Sequence, residues 1–399
     1  MSKYNLFEGY GIEIEYMIVD AETYKVTPVA DMLLSKLAGE PVSEYSEDGL
    51  GYSNELVKHV IELKTDGPAK SLEHLANQFH KGVQRVSEIL KDMNCILMPT
   101  AMHPFMVPEK ETQLWQDESA EIYETYDRIF NCKGHGWSNL QSVHINLPFA
   151  GDEQFRRLHA AIRPILPIIP ALAASSPIVE REVTGILDNR LAFYRKNQRT
   201  VPEVAGSIIP ERVYTEAEYN KDIFSVIKKA IAPHDPEEIL DPIWLNSRGA
   251  IARFDRGAIE IRLIDVQECP KADIAVALLV SESVRLLTKY NNIEKLCRID
   301  EKRLLEILLS CIKDGENTLI DDMDYLSIFD IEEPVRASEI WKYLFFETGV
   351  NKNAEYSGAL TNIFDNGTLS TRIKKSRRSI SETYIKLCEC LINNKVYND

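Results

Sequence analysis

Three short apolar segments of this chain each carry two polar or charged side chains, two residues apart. The pairs are Glu13 and Glu15, His144 and Asn146, and Glu260 and Arg262. Successive side chains of a β-strand point to opposite faces, so each pair shares one face while the flanking isoleucines and leucines occupy the other. The pattern therefore predicts strands of a sheet that has one apolar face and one polar face.

The polar face predicted in this way holds three carboxylates, an imidazole and a guanidinium. Charged groups that leave water are costly unless they are paired or bound to ions. Metal ions would neutralise the carboxylates, and a phosphate group would pair with the guanidinium. The residues alone therefore favour a site for metal ions and phosphate.

Length and charge limit the class of protein. The 399 residues suit one large α/β unit or two to three domains of about 150 residues each. The net charge of −16 argues against a nucleic-acid partner, which requires a clustered basic surface. The seven cysteines have no metal or redox spacing, and neither a signal peptide nor an apolar run of membrane length is evident. We expect a cytoplasmic protein without a membrane partner, and the sequence is compatible with a homo-oligomer.

Hydrophobic periodicity predicts a mixed order of strands and helices. Strands are expected at about 8–19, 57–63, 95–99, 140–147, 250–254 and 258–265. Helices are expected at about 72–90, 119–130 and 152–174, and from 271 almost to the end. The stretch 45–51 reads as a connection to the second strand. The irregular stretch 175–210 has the length of a functional loop and contains Arg181, Arg190, Arg195 and Arg199.

The common nucleotide and hydrolase motifs are missing from the sequence. It has no Gly-Lys-Ser/Thr phosphate loop, no third glycine after Gly134-His135-Gly136, no His-Glu-x-x-His helix and no Gly-x-Ser-x-Gly elbow. A nucleotide would therefore have to be bound through metal ions.

An ordered set of motifs resembles the type 2 glutamate–cysteine ligase family, which includes bacterial carboxylate–amine ligases and belongs to the glutamine synthetase superfamily. Each motif alone is common, but their combination in this order is specific, and the resemblance covers roughly residues 8–290. The motifs are Gly11-x-Glu13-x-Glu15, Glu55 and Glu62, His103-Pro104, His144-x-Asn146, Tyr194-Arg195 and Glu260-x-Arg262.

The resemblance implies an α+β fold. Its curved, mostly antiparallel sheet would form a funnel-shaped active site with helices packed on the outer face, as in glutamine synthetase. Residues 1–290 would form the catalytic domain, and residues 291–399 a helical C-terminal region packed on the same domain.

The resemblance also implies two adjacent metal sites, with Glu15, Glu55 and Glu62 at one metal and Glu13, His144 and Glu260 at the other. Oxygen ligands suit Mg²⁺, and the imidazole leaves room for Mn²⁺. Because Glu55 and Glu62 are an odd number of residues apart, Glu55 must lie on a bend rather than on the strand of Glu62.

Two arginines complete the implied site. Arg262 would neutralise the γ-phosphoryl group during transfer. Arg195 matches a loop arginine that contacts phosphate or the substrate carboxylate, since a planar guanidinium suits either oxyanion. Physics does not rank Arg195 against Arg190 and Arg199.

Simpler interpretations of the same residues stay open at this point. Glu13 and Glu15 could form a solvated strand face, His144 could be a hydrogen-bonded core histidine, and Glu260 and Arg262 could be a structural ion pair.

The function implied is an ATP-dependent C–N ligase that uses Mg²⁺ and small amino-acid substrates. ATP would phosphorylate a carboxylate, taken to be the γ-carboxylate of glutamate, and an amine would displace the phosphate. The sequence encodes neither substrate in a readable motif. The alternatives are a nucleotide-binding regulatory homologue without turnover and a two-metal phosphohydrolase.

Overall fold

The computed structural model describes residues 4–116, 119–290 and 292–398. The strands in these ranges are β1 (Gly11–Asp20), β2 (Glu44–Glu47), β3 (Leu50–Asn54), β4 (Val60–Thr65), β5 (Cys95–Met98), β6 (Ser142–Pro148), β7 (Ile178–Val179), β8 (Glu182–Val183), β9 (Ala250–Arg253), β10 (Ala258–Asp265), β11 (Leu319–Ile320) and β12 (Val335–Arg336).

The helices before β10 are α1 (Ala30–Ala38), α2 (Leu75–Lys91), α3 (Pro108–Glu111), α4 (Ala120–Phe130), α5 (His135–Ser138), α6 (Gly151–Ile165), α7 (Pro170–Ala173), α8 (Asn189–Tyr194), α9 (Glu216–Tyr219), α10 (Ser225–Ile231) and α11 (Pro242–Leu245). Those after it are α12 (Pro270–Thr288), α13 (Ile293–Cys297), α14 (Glu301–Asp314), α15 (Met323–Leu326), α16 (Ala337–Glu347), α17 (Ser357–Asn366), α18 (Leu369–Lys375) and α19 (Ile380–Asn393). In the part of the chain that is described, no helix combines the length and hydropathy of a membrane span.

Eight strands form one open sheet in the order β2-β3-β4-β1-β6-β10-β9, with β5 paired to the end of β1. All pairings in this sheet are antiparallel. Strand β1 is central because it pairs with β4, β5 and β6. The predicted α+β fold with a mostly antiparallel sheet and a helical C-terminal region is confirmed.

Helices of the main core pack against one face of the sheet. Ile12, Ile14, Tyr16 and Ile18 alternate along β1 and are fully buried in the main apolar core. Helix α2 packs against β3, β4 and β5, and α12 packs against β6.

On the opposite face, Glu13 and Glu15 occupy the first half of β1, whereas Met17 and Val19 farther along are buried in a second apolar cluster with residues of α18 and α19. Only the part of this face around Glu13 and Glu15 is therefore left for polar groups.

Some elements differ from the predictions. The stretch 45–51 is not a plain connection, because it contains most of the β2–β3 hairpin, which turns through Gly49 at φ +79°. Edge strand β2 is polar and only partly buried, so apolar alternation could not reveal it. Helix α1 was not predicted, and the predicted helix 152–174 breaks after Pro164, where α6 gives way to a 3₁₀ turn before α7.

The last helices share the interior with the sheet. Helix α19 packs against β5 and α2. Arg372 of α18 donates from Nη1 to Oε1 of Glu268, which follows β10, at 2.6 Å, and both residues are buried. The division of the chain at residue 290 stays a prediction.

We predict that Glu268→Gln lowers the free energy of unfolding by about 3–5 kcal/mol, because the amide leaves the buried Arg372 without a counter-charge. Urea unfolding followed by circular dichroism measures this. Glu389→Gln, which removes an exposed partner of Lys386, is the control and should change stability far less. Equal effects of the two substitutions would contradict the prediction.

Candidate active site

The polar groups meet because the strand register places them side by side. Directly opposite residues of antiparallel strands share a face with Cβ atoms about 4.5–5.5 Å apart. Three rows cross the sheet in this way. They are Ser53–Glu62–Glu15, Lys64–Glu13–His144 and Gly11–Asn146–Glu260.

A cavity of about 1160 Å³ lies over this face. Its lining includes the six residues predicted as metal ligands together with Arg262, namely Glu13, Glu15, Glu55, Glu62, His144, Glu260 and Arg262. The structure therefore gathers residues that are separated by up to 249 positions in the sequence.

Arg195 does not belong to this group. It follows α8, its side chain is exposed, and it is absent from the cavity lining. The arginine of this segment that does line the cavity is Arg190, five residues earlier and only 2% exposed. Helix α8 thus turns Arg190 inward and Arg195 outward, a distinction that an irregular loop could not show in the sequence.

His144 lies between two groups of carboxylates. Its Nδ1 is 3.0 Å from Oε2 of Glu13 and 3.5 Å from Oε1 of Glu260. Its Nε2 is 2.9 Å from the Ser142 hydroxyl and 3.9 Å from Oε1 of Glu15. The imidazole therefore contacts both halves of the site.

Among the residues that the structure describes, two sets of three side chains could each hold a metal ion, because the three ligand atoms of a set lie within 4.8 Å of one another. The first set, Glu13, His144 and Glu260, has the membership implied by the family resemblance. In the second set, His144 joins Glu15 and Glu62, while Glu55 stands outside it. Glu55 follows β3 in the connection to β4, off the regular strand as its spacing required, and faces the same cavity.

Burial and mutual repulsion act on the carboxyl groups of Glu62 and Glu55. Burial, then the negative charges of Glu13 and Glu15, raise the pKa of Glu62 to about 7. Burial also raises the pKa of Glu55 well above its usual range, with Glu15, Glu62 and Glu13 adding to the effect. Without cations, these carboxylates compete for protons.

Glu13 and His144 form the opposite case. Burial alone would raise the pKa of Glu13, but the hydrogen bond and charge of His144, the charge of Lys64 and the hydrogen bond from Asn146 hold it at about 2. Burial would likewise lower the pKa of His144, and its hydrogen bond to Glu13 raises it instead.

The site thus combines several carboxylate oxygens with one imidazole. Glu13 is held in its charged form, whereas Glu55 and Glu62 are held protonated by burial and by repulsion from their neighbours. Such a donor set fits divalent cations such as Mg²⁺ or Mn²⁺.

Arg262 projects from a β-bulge. The register between β10 and β6 shifts between Ile261 and Ile264, so that Arg262 and Leu263 together oppose His144. Nε of Arg262 lies 3.0 Å from Oε1 of Glu260, and the side chain is 26% exposed. Arg262 thus combines an ion pair with access to the cavity.

Several cavity residues were not singled out from the sequence. Ile251 of β9 is opposite Glu260 and therefore lies on the polar face. Arg253 is two positions further along β9 and so lies on the same face. The alternation that revealed the other pairs could have found it. Trp244 also lines the cavity and is 60% exposed. Cζ of the Arg253 guanidinium lies 4.6 Å from the centre of the Trp244 ring. Nothing local in the sequence marks this tryptophan.

Comparison with known proteins fits this geometry. The family model described as glutamate-cysteine ligase family 2 matches residues 10–304. The chain is a member of this family. It is 32% identical over 392 residues to an uncharacterized protein of Archaeoglobus fulgidus. This match covers 97% of the chain and 99% of the relative.

A putative glutamate–cysteine ligase 2 of Bradyrhizobium sp. is 24% identical over 279 residues, 68% of the chain. The match spans only 59% of that relative.

Solved structures agree on the fold. Glutamate–cysteine ligase of Francisella tularensis, in complex with AMP, superposes with a TM-score of 0.60 at 15% identity, over 99% of this chain and 89% of the other. The bifunctional glutathione synthetase of Pasteurella multocida superposes with a TM-score of 0.58 at 12% identity, over 97% and 53%. The glutamine synthetase-like fold implied by the resemblance is confirmed.

The raised pKa of Glu62 predicts how the stability of metal-free protein depends on pH. The unfolded chain loses this proton near pH 4.5, whereas the folded protein keeps it to about pH 7, so stability should fall as pH rises between these values. Melting temperatures with a chelator present measure this. Glu62→Gln should flatten the slope and raise the melting temperature at pH 8.

The matched control is Glu47→Gln, which lies on the same sheet, bonds to Arg85 and is absent from the cavity lining. It should keep the wild-type slope. A Glu62→Gln protein with that same slope would show that Glu62 is not held protonated by its neighbours.

Proposed function

We propose that this family member is an ATP-dependent carboxylate–amine ligase. The observation that carries the proposal is the pair of ligand sets that share His144 on the polar sheet face, with Arg262 beside them. A ligase of this kind must hold a triphosphate, neutralise it and bring a carboxylate to the γ-phosphorus. The cavity offers cation ligands and arginines on one surface.

The cations would be two Mg²⁺ ions, for which Mn²⁺ can substitute. Glu13, His144 and Glu260 would hold one, and Glu15 and Glu62, with Glu55 beside them, would hold the other. When bound, the cations would neutralise the phosphates and the charge that develops during phosphoryl transfer.

The chain's own residues would orient the reactants. Arg262 would donate to the γ-phosphoryl oxygens while Glu260 restricts its guanidinium. Asn146 donates to Oε1 of Glu13 at 2.9 Å and Ser53 to Oε1 of Glu62 at 2.7 Å, so neither carboxylate is free to rotate. A cavity of about 1160 Å³ exceeds the roughly 300–1,000 Å³ typical of small-molecule sites and suits a nucleotide with two further substrates.

In the reaction, a carboxylate oxygen attacks the γ-phosphorus of ATP and ADP leaves. The amine nitrogen then attacks the acyl carbon of the resulting acyl phosphate, phosphate leaves, and the nitrogen releases a proton. The family supports the γ-carboxylate of glutamate as the acceptor. The Francisella neighbour, which was solved with AMP, supports nucleotide binding. The cytoplasmic location and the compatibility with a homo-oligomer stay predictions.

The test uses Mg²⁺, ATP and a matrix of carboxylate and amine amino acids. We expect ADP release only when both partners are present, and ¹⁸O from the labelled carboxylate should appear in the released phosphate. ADP release without an amine would favour a two-metal phosphohydrolase. Nucleotide binding without any turnover would favour a regulatory homologue.

We predict that Glu13→Gln and Glu260→Gln each abolish ligation while the protein stays folded, because the amide keeps the volume but loses the charge that binds a cation. Activity at saturating Mg²⁺ and circular dichroism test this. Glu47→Gln is the control and should retain activity. Normal turnover in either cavity variant would refute the assigned metal ligands.

Arg262→Lys separates catalysis from structure. Lysine keeps the charge but loses the planar fork, so kcat should fall about a hundred- to a thousandfold with little change in the KM for MgATP. Steady-state kinetics and the melting temperature are measured on the same variant. A destabilised protein with normal kcat would mean that Arg262 is only the ion-pair partner of Glu260.

A further inference from the structure

Arg190 is hydrogen-bonded to the bulge that presents Arg262. Nε of Arg190 donates to Oδ1 of Asp265 at 2.5 Å, and Nη1 donates to the carbonyl oxygen of Arg262 at 3.3 Å. Asp265 ends β10, three residues beyond Arg262. One guanidinium therefore holds β10 at both ends of the segment that leaves the regular ladder.

The other end of this connection is equally fixed. Oδ2 of Asp265 accepts from the backbone of Ser175 at 2.9 Å and from the hydroxyl of Ser176 at 3.0 Å. The backbone nitrogen of Arg190 donates to the same Ser176 hydroxyl at 3.1 Å. Asp188 caps α8 through Leu191, which fixes the helix that carries Arg190. The two ends of the stretch 175–190, at Ser175–Ser176 and at Asp188–Arg190, thus form a hydrogen-bonded support beside the bulge.

Arg262 depends on this support because the ion pair with Glu260 does not by itself fix the direction of its side chain. Its Nε lies 3.0 Å from Glu260 but is buried without a directed hydrogen bond to any described residue. In a bulge, two residues oppose one, so pairing with β6 does not fix the direction of the extra side chain. The backbone bonds at Arg262, from its nitrogen to Gly249 at 3.0 Å and from Arg190 to its oxygen, must do so.

We propose that Arg190 is a positioning residue that fixes the β10 bulge and thereby directs Arg262 at the transferred phosphoryl group. The inference rests on the proposed function, because it assigns Arg190 a role in phosphoryl transfer through Arg262. Arg190 is 2% exposed and borders the cavity, and its Nη2 is also buried without a hydrogen-bond partner among the described residues. The two side-chain nitrogens of Arg190 that do donate, Nε and Nη1, both donate to residues of β10.

The competing view is that Arg190 is a buried ion pair that only stabilises the fold. Arg372 is a matched control. It too is buried, bonds a buried carboxylate, Glu268, and donates to a backbone oxygen, that of Tyr397 at 2.8 Å. Unlike Arg190, it does not border the cavity. Arg190→Lys and Arg372→Lys therefore remove the same kind of interaction in two places.

The experiment measures kcat, the KM for MgATP and the melting temperature of both variants, alone and combined with Arg262→Lys. Arg190→Lys should lower kcat by about tenfold or more at nearly constant KM, whereas Arg372→Lys should lose stability with kcat within about twofold of wild type. Added to Arg262→Lys, Arg190→Lys should cost no further kcat, because the residue it positions is already lost.

Independent, multiplying losses in the Arg190/Arg262 double variant would overturn the proposal, and so would an unchanged kcat in Arg190→Lys. If Arg190→Lys does not fold, Asp265→Asn breaks the same pair from β10 and is judged by the same criteria. A second readout separates this inference from the proposed function. Hydrogen exchange of residues 262–265 should accelerate in Arg190→Lys and not in Arg372→Lys.

If the wild-type protein shows no ligation, the proposed function fails, and the exchange result still decides whether Arg190 holds the bulge. If ligation occurs and the exchange does not change, the positioning role alone is refuted.

Discussion

Repulsion among the carboxylates on one half-buried sheet face is the constraint on which the arrangement depends. Glu15, Glu62 and Glu260 are each less than 10% exposed, and Glu13 and Glu55 lie beside them. Apolar burial on the opposite face, where α2 and α12 pack, holds the strands in the register that forces these groups together. The fold thus maintains a concentration of negative charge that divalent cations would relieve.

The same register explains why the site has two halves. His144 is opposite Glu13 and also lies close to Glu15 and Glu260, so it belongs to both ligand sets. A substitution of His144 would therefore alter both sets. The bulge in β10 lies opposite His144 and places the Arg262 guanidinium beside the carboxylate of Glu260. Cations and Arg262 would then act on one phosphate from neighbouring positions, which is what phosphoryl transfer requires.

Much of this was predictable because strand alternation is a local signal. The pairs on β1, β6 and β10 could be placed on one face from their spacing, and the structure confirms that they share it. The rest depended on tertiary contacts. The polar β2 carries no apolar pattern, the choice of Arg190 over Arg195 depends on the phase of α8, and the inclusion of His144 in both ligand sets depends on cross-strand register.

Under the proposed function, this sheet face holds two cations beside a nucleotide. The stoichiometry of Mn²⁺ binding, measured by electron paramagnetic resonance with a non-hydrolysable ATP analogue present, tests this arrangement. We expect two Mn²⁺ per chain, one for each ligand set, with spin coupling between them, and loss of that coupling in Glu260→Gln. A single uncoupled Mn²⁺, or a spectrum unchanged by Glu260→Gln, would contradict it.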